Sequence, residues 1–426
     1  MLTAIVGVNW GDEGKGRMVD LLSQRYGVVA RYQGGNNAGH TVVNNKGKFI
    51  LNLLPSGILR PEVVNVMGNG MVIDLKHLVG EIGKLRAAGI EISPANLKIS
   101  SRAVICLPWH VAQDGLEEDR LGDAKYGSTR RGIAPVYGDK YLKKAIHMGD
   151  LADEANLRET LAGLVEWKNL TLRAYGAAEA TVGEVLAWLR EYGEPLLPYI
   201  CDTGAYLDAA ARRRENILFE AQLGALRDID FGIYPFTSSS STLAAYAPIG
   251  AGIPGRKLDE TVGIMKAYSS CVGEGPFTVE WFGAEADALR QAGGEYGAAT
   301  GRPRRVGPFD AVASRYGVKV QGADYLALTK LDVLSYMDKI PVCTAYEIDG
   351  KRVADFPSGA ALMRAKPVYE YLPGWKKDIG GCRTEKELPR VAREYVRFLQ
   401  GQVGCPVRYV SVGAERGDYL LMDESV

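Results

Sequence analysis

Two stretches of this sequence combine residue types that can handle phosphate groups and protons. The first is Gly7-Val8-Asn9-Trp10-Gly11-Asp12-Glu13-Gly14-Lys15-Gly16-Arg17, directly after an apolar run. Strand, glycine-rich turn and helix together make an anion site, because backbone N–H groups and the positive end of a helix dipole converge there. The spacing is not that of a Walker A loop, since no Ser or Thr follows a Gly-Lys pair. Two carboxylates inside an anion-binding loop need a task of their own. Asp12 can ligate Mg²⁺ or accept a proton, and Lys15 can neutralise phosphate charge. The plainer reading is a tight strand-to-helix turn. The second stretch, Arg31-Tyr32-Gln33-Gly34-Gly35-Asn36-Asn37-Ala38-Gly39-His40-Thr41, sets one of only four histidines in a Gly/Asn-rich loop with little apolar cover. That favours a catalytic histidine over a core one.

Elements that could position these groups recur along the chain. Strands are predicted at 3–8, 28–32, 63–67, 216–219, 325–328, 340–346 and 408–412. Helices are predicted at 16–25, 75–88, 178–191, 206–214 and 387–400. Strand–helix alternation predicts an α/β fold with a large, mostly parallel sheet flanked by helices. No internal repeat or low-complexity linker divides the chain, which reads as one unit over 1–426. With 51 basic and 51 acidic residues the formal net charge is zero, so no global basic field points to nucleic acid. No apolar run reaches the ~18 residues of a membrane span. The first residues read as a strand rather than a secretory signal. Six scattered cysteines without a Cys-x-x-Cys pair argue against a zinc site or disulfide framework and fit a reducing cytoplasm.

The Trp10–Gly16 and Arg31–Thr41 segments resemble those of the adenylosuccinate synthetase family, and the first of these motifs is highly specific. The likeness continues through Leu54-Pro55-Ser56-Gly57-Ile58, Gly68-Asn69-Gly70, Asp228-Ile229-Asp230, Tyr234-Pro235, Val272–Phe277, Leu328–Leu334 and Ser411–Ala414. It covers nearly the whole chain and is least informative from about 150 to 215. The family joins IMP to L-aspartate with GTP and Mg²⁺. A carboxylate takes the purine N1 proton, the 6-oxygen attacks the γ-phosphate, and the amine of aspartate displaces phosphate at C6.

Carried onto this sequence, the resemblance implies Asp12 as base and metal ligand, with backbone at Gly39 facing the metal. It makes His40 the group that stabilises the transferring phosphoryl, and Gln222 the amide near the 6-oxygen. GTP would meet Glu13, Gly14, Lys15, Gly16, Thr41, Lys330, Asp332, Ser411, Gly413 and Arg304. Asp332 is the implied guanine reader, because a carboxylate accepts from both N1–H and the 2-amino group. IMP would meet Asn37, Ser128, Thr129, Lys143, Ser238 and Arg302. Aspartate would meet Ala298, Ala299, Thr300, Arg302 and Arg304, with guanidinium forks suited to carboxylates. A homodimer is implied, with Lys143 reaching the neighbouring subunit's IMP.

The sequence departs from the family pattern on the IMP and aspartate side. Leu223 stands at the family's Gln, one residue after Gln222, and a bulge would be needed to re-aim the Gln222 amide. Arg130 replaces a Gly, Lys143 an Arg, Ser238 a Thr, Cys271 an Arg and Pro303 an Arg. An alternative acceptor, such as a guanine nucleotide, therefore stands beside IMP. A second alternative is a GTP-binding regulatory protein without turnover, against which the intact Asp12 and His40 speak.

Overall fold

The apolar run after Met1 lacks polar alternation, the mark of a strand covered on both faces. In the computed structural model, which describes residues 1–44, 47–297, 301–415 and 417–423, it becomes β1 (Leu2–Gly7), buried at every position. Nine more strands join it in one sheet: β2 (Val28–Arg31), β3 (Val64–Met67), β4 (Leu97–Ser100), β5 (Ile200–Cys201), β6 (Ile217–Glu220), β7 (Glu260–Lys266), β8 (Tyr325–Thr329), β9 (Val407–Ser411) and β10 (Tyr419–Leu421). Their spatial order is β10-β9-β8-β7-β1-β6-β2-β3-β4-β5. Every pairing is parallel except β9 with β10 at one edge.

Side chains alternate across the sheet's centre. Ile5, Val29, Leu218 and Val262 pack on Met18, Val19 and Leu22 of the Lys15–Leu22 helix. Ala4, Val6, Val28, Ala30 and Phe219 face the other way, onto Leu207, Ala210 and Ala247. Truncating a buried aromatic such as Phe219 to Ala costs roughly 3–5 kcal/mol, because the cavity relaxes only in part.

Six of the seven strands anticipated from sequence lie in this sheet. The seventh, at 340–346, is part of the longer Lys339–Ile348 strand of a separate sheet, paired antiparallel with Lys366–Pro373 and Lys351–Val353. All five anticipated helices form, with shifted ends. The one expected from 178 starts at Val182, because Thr181 caps it and Glu184 reaches back. The one expected from 387 starts at Arg390, directly after Pro389. Strand β7 and the helices Pro108–Leu121, Glu154–Ala174 and Ala311–Gln321 were not anticipated.

Strand β1 lies between β6 and β7, so chain order reverses across it. Ligands of open α/β sheets bind at such a switch point, beyond the carboxyl ends of the strands. Because β1, β2, β6, β7, β8 and β9 run parallel, their carboxyl ends share one edge. The loops that follow them carry Asp12, Asn37, Gln222, Tyr268, Asp332 and Gly413. Residues hundreds of positions apart are gathered there by topology alone.

Candidate active site

The loop after β1 has three left-handed residues, Gly11 (φ 102°), Asp12 (φ 58°) and Gly14 (φ 97°). This backbone lets the Lys15–Leu22 helix begin immediately, with Gly14 as its N-cap. Glu13 folds inward as a strut. Its carboxylate accepts the N–H of Asn9 (3.0 Å) and of Gly11 (2.8 Å), and it pairs with Lys15 Nζ at 2.7 Å. Thr329 Oγ1 at the end of β8 donates to the Glu13 carbonyl (2.7 Å). Lys15, expected to face phosphate, is thus buried against Glu13 in this state.

His40 opens the His40–Asn44 strand and packs over the same helix: a Cβ at Gly16 would sit 2.9 Å from the His40 Cβ. Its Nδ1 bonds Glu220, the last residue of β6. Glu220 also accepts from Ser56 Oγ (2.6 Å) and Ser56 N–H (2.7 Å). Burial lowers the His40 pKa, and the attraction of Glu220 offsets this only in part. Burial pushes Glu220 up, yet His40, Arg31 and Ser56 together hold its carboxyl below the usual range. The carboxylate orients the imidazole, fixing ring and tautomer, while burial disfavours its protonation. Ser56 lies in a segment that carries the family likeness, but no local pattern gives either Ser56 or Glu220 this task.

The backbone irregularity needed near Gln222 falls on Leu223, which is left-handed (φ 63°). Gln222 itself is fully buried. Its Oε1 accepts from Arg31 Nη2 (2.8 Å) and its Nε2 donates to Asn37 Oδ1 (3.0 Å). Its carbonyl accepts from Gln33 Nε2 (2.7 Å), and Gln33 Oε1 accepts from Ser240 Oγ (2.9 Å), which neighbours Ser238 Oγ at 3.3 Å. Gly34 makes room, since a Cβ there would lie 1.9 Å from Gln222 Oε1. In this state the amide orients Asn37 and is not free in the cleft, whereas Leu223 is half-buried beside Gly11.

On the other side of Asp12 sits a charge network centred on Glu295, which is fully buried. Glu295 accepts from Lys266 Nζ (2.8 Å), Lys330 Nζ (2.8 Å), Tyr268 Oη (2.5 Å) and Arg304 Nη1 (2.9 Å). Arg304 Nη2 reaches on to Asp12 Oδ2 at 3.0 Å. Burial raises Glu295, but Lys266, Lys330 and Arg304 overcome it and hold the carboxyl well below its ordinary value. Burial pulls Lys266 down to about 8 against the attraction of Glu295. One anion thus spaces three cations at the mouth of the phosphate loop. Lys330 and Arg304 were expected at the site; Glu295, Lys266 and Tyr268 were not, because no local pattern marks them.

Lys330 is left-handed (φ 60°) and caps a 3₁₀ turn, Leu331–Tyr336, that carries Asp332. Asp332 Oδ1 is buried with no hydrogen-bond partner among the described residues. Burial raises its pKa, with a hydrogen bond from its own backbone N–H, Lys330 and Arg17 as partial compensation. Ser411 and Gly413 lie at and just after the end of β9, tied to the Lys15–Leu22 helix by Arg17.

The loop with Ser128 and Thr129 is held by one face of the Pro108–Leu121 helix. Asp114 accepts from Ser128 Oγ (2.7 Å) and Gly132 N–H (2.8 Å), while Glu118 accepts from the N–H groups of Tyr126 and Gly127 (3.1 Å each). Arg130 takes the left-handed angle (φ 55°) that a glycine adopts freely, and pairs with Asp119 at the surface. Lys143 is exposed, left-handed (φ 62°), past the end of the Ile133–Tyr141 helix. Cys271 accepts from Arg227 Nη2 (3.0 Å). Arg302 is exposed next to Pro303, which bridges Tyr296 at the base of a hairpin. Ala298, Ala299 and Thr300 lie outside the described residues. Among the described residues no group of three or more His, Cys, Asp or Glu side chains could hold a metal ion, and no helix is long and apolar enough to cross a membrane.

The adenylosuccinate synthetase family model matches residues 4–420. The chain belongs to the adenylosuccinate synthetase family. It is therefore a ligase of purine nucleotide biosynthesis that forms a C–N bond between L-aspartate and IMP with GTP. An adenylosuccinate synthetase of Pelotomaculum thermopropionicum is 46% identical over 99% of this chain and 98% of its own. Adenylosuccinate synthetase 2 of Pseudoalteromonas translucida is 46% identical, covering 98% and 99%. The fully ligated adenylosuccinate synthetase of Plasmodium falciparum superposes with a TM-score of 0.92 at 33% identity over 99% of both chains. The succinoaminodeoxyadenylate synthetase of cyanophage S-2L, bound to dGMP and dATP, shares the fold, with a TM-score of 0.60 at 19% identity over 99% of this chain and 95% of its own.

Proposed function

We propose that the cleft at the carboxyl edge of the sheet phosphorylates the 6-oxygen of IMP and then accepts the amine of aspartate at C6, with the chain acting as one unit. Asp12 takes the N1 proton, so electron density moves to the 6-oxygen. That oxygen attacks the γ-phosphorus, and the bond to the bridging oxygen breaks as GDP leaves. His40, oriented by Glu220, faces charge that builds on the transferring oxygens. The aspartate amine then attacks C6 and phosphate departs. Such transfers depend on positioning and charge stabilisation more than on covalent steps by the protein. Arg304 pairs with both Asp12 and Glu295, which sets its guanidinium beside the carboxylate that takes the proton.

The observation that carries the GTP part is Asp332 Oδ1, a buried acceptor with its partner still missing among the described residues. Guanine offers two donors to such a group and adenine does not. The donor set at the loop also fits Mg²⁺: a part-exposed Asp12 carboxylate and the Gly39 carbonyl are hard oxygens, and few protein ligands suit an ion that keeps water and phosphate oxygens. Bound there, Mg²⁺ would neutralise phosphate charge. Asn37, Ser128, Thr129, Ser238 and Arg302 are proposed for IMP, and Ala298, Ala299, Thr300, Arg302 and Arg304 for aspartate. Lys143 is proposed to act across a homodimer, in the cytoplasm, without nucleic acid or membrane partners.

A coupled assay for GDP and phosphate tests this, with IMP, XMP and GMP offered separately, each with and without aspartate. Product release is expected with IMP plus aspartate. Turnover on GMP in place of IMP would overturn the acceptor assignment and favour the alternative that Leu223, Arg130 and Pro303 raise.

A further inference from the structure

The Lys15–Leu22 helix carries a side chain that none of these steps uses. Arg17 turns away from the phosphate loop toward the connection between β9 and β10. Its Nη1 donates to Ser411 Oγ (2.8 Å) and to the Gly413 carbonyl. Its Nη2 donates to the Glu415 carbonyl and to that of Asp418 (3.1 Å). One guanidinium therefore gathers four acceptors from a single loop, three of them main-chain. A planar fork of fixed donors can do this; a lysine ammonium, a point charge, cannot hold four directions at once.

The loop is tightened from its other side by Asp418. That carboxylate accepts from Glu415 N–H (2.8 Å) and pairs with Arg383 (3.0 Å). It also presses on Gly413, where a Cβ would lie 2.5 Å from Asp418 Oδ2. Arg17 is close enough to Asp332 for each charge to act on the other. So the guanidinium holds the loop of Ser411 and Gly413 by direct hydrogen bonds and acts on the Asp332 carboxylate through its charge. It joins the wall of the base pocket to the helix whose first turn forms the phosphate loop.

We propose that Arg17 is a specificity-determining positioning residue: by fixing the 411–418 connection against Asp332 it sets a pocket fitted to guanine with its 2-amino group, and holds that pocket in register with the phosphate loop. This rests on reading Asp332 and the Ser411–Gly413 segment as the guanine site. If the loop is released, the donors and acceptors opposite the base lose their spacing while the sites for IMP and aspartate keep theirs. A residue that merely glued the fold would act on all substrates alike.

The test compares Arg17→Met and Arg17→Lys in the full chain, measuring kcat and KM with GTP, with inosine triphosphate (which lacks the 2-amino group) and with ATP. Arg17→Met is expected to raise KM for GTP about tenfold or more, equivalent to about 1.4 kcal/mol, and to shrink the preference for GTP over inosine triphosphate by a similar factor. KM for IMP and aspartate should move less than about twofold, and Arg17→Lys should fall between Arg17→Met and the natural protein. An unchanged preference for GTP over inosine triphosphate overturns the proposal, as does an equal rise in every KM together with a lower Tm. If Arg17→Met fails to fold, Arg17→Lys carries the comparison, with its Tm matched to the natural protein. Asp332→Asn, run in parallel, separates two failures. If it loses the GTP preference while the Arg17 variants keep theirs, only the role of Arg17 is wrong. If the natural protein does not prefer GTP over ATP, the guanine reading itself falls.

Discussion

Replacing Asp332 with Asn should move GTP use and stability in opposite directions. Asp332 Oδ1 is buried with no hydrogen-bond partner among the described residues, and burial raises its pKa. A group whose folded pKa is raised destabilises the fold once it ionises, so stability falls as pH climbs from the unfolded value through the folded one. The ionised carboxylate carries that cost, and a neutral Asn removes it. Tm should therefore hold or rise slightly. Binding has the opposite sign. A carboxylate accepting from guanine N1–H and the 2-amino group makes charge-assisted hydrogen bonds of about 1.5–3 kcal/mol each. An amide can satisfy at most one and turns an N–H toward the other donor. The loss is about 3–4 kcal/mol, or roughly 10²–10³-fold in kcat/KM for GTP. The same amide complements the 2-oxygen of xanthine, so xanthosine triphosphate should gain relative to GTP. The assay is coupled GDP or XDP release at saturating IMP and aspartate, with a thermal melt of the unliganded variant. An unchanged GTP-over-ATP preference, or a Tm several degrees lower, would refute the argument.

Other outcomes are equally open to measurement. Asp12→Asn and His40→Asn should each lower turnover by at least ~10²-fold, the scale of general acid–base and electrostatic groups, and near-normal turnover in either would sink the assignment. Gln222→Ala frees both Arg31 and Asn37, so it should raise KM for IMP and lower kcat more than Leu223→Ala does. A nearly silent Gln222→Ala beside a damaging Leu223→Ala would mean that the pocket has an apolar wall there. Asp310, fully buried as N-cap of the Ala311–Gln321 helix and bonded by Tyr346 (2.6 Å), is raised by burial to about 6. The stability it lends is present below its unfolded pKa and lost as pH rises through about 6. Between pH 4 and 7 the natural protein should therefore lose Tm relative to Asp310→Asn, and parallel Tm profiles would contradict this. Sedimentation with IMP and GTP bound should show a dimer; a fully active monomer would exclude Lys143 acting across an interface.

Much of this protein can be read without coordinates, where the information is local. A strand–glycine–helix sequence points to an anion loop, because backbone angles and helix polarity are set within a few residues, and it singles out Asp12; that Lys15 turns onto Glu13 was not legible there. The β-branched runs foretold most of the parallel sheet for the same reason. Strand β7 was missed although it lies beside β1, since its neighbours and not its composition make Glu260–Lys266 a central strand. The long Glu154–Ala174 helix was missed in the stretch where motif likeness is weakest. Partnerships are a different kind of fact. That Glu220 orients His40, that Glu295 spaces Lys266, Lys330 and Arg304, and that Arg17 grips the 411–418 connection depend on residues 180, 29, 35, 9 and 394 or more positions apart. No spacing rule encodes such contacts. They arise because parallel strands bring their carboxyl ends to one edge, and a buried charge there must find its counterion wherever the chain has placed one.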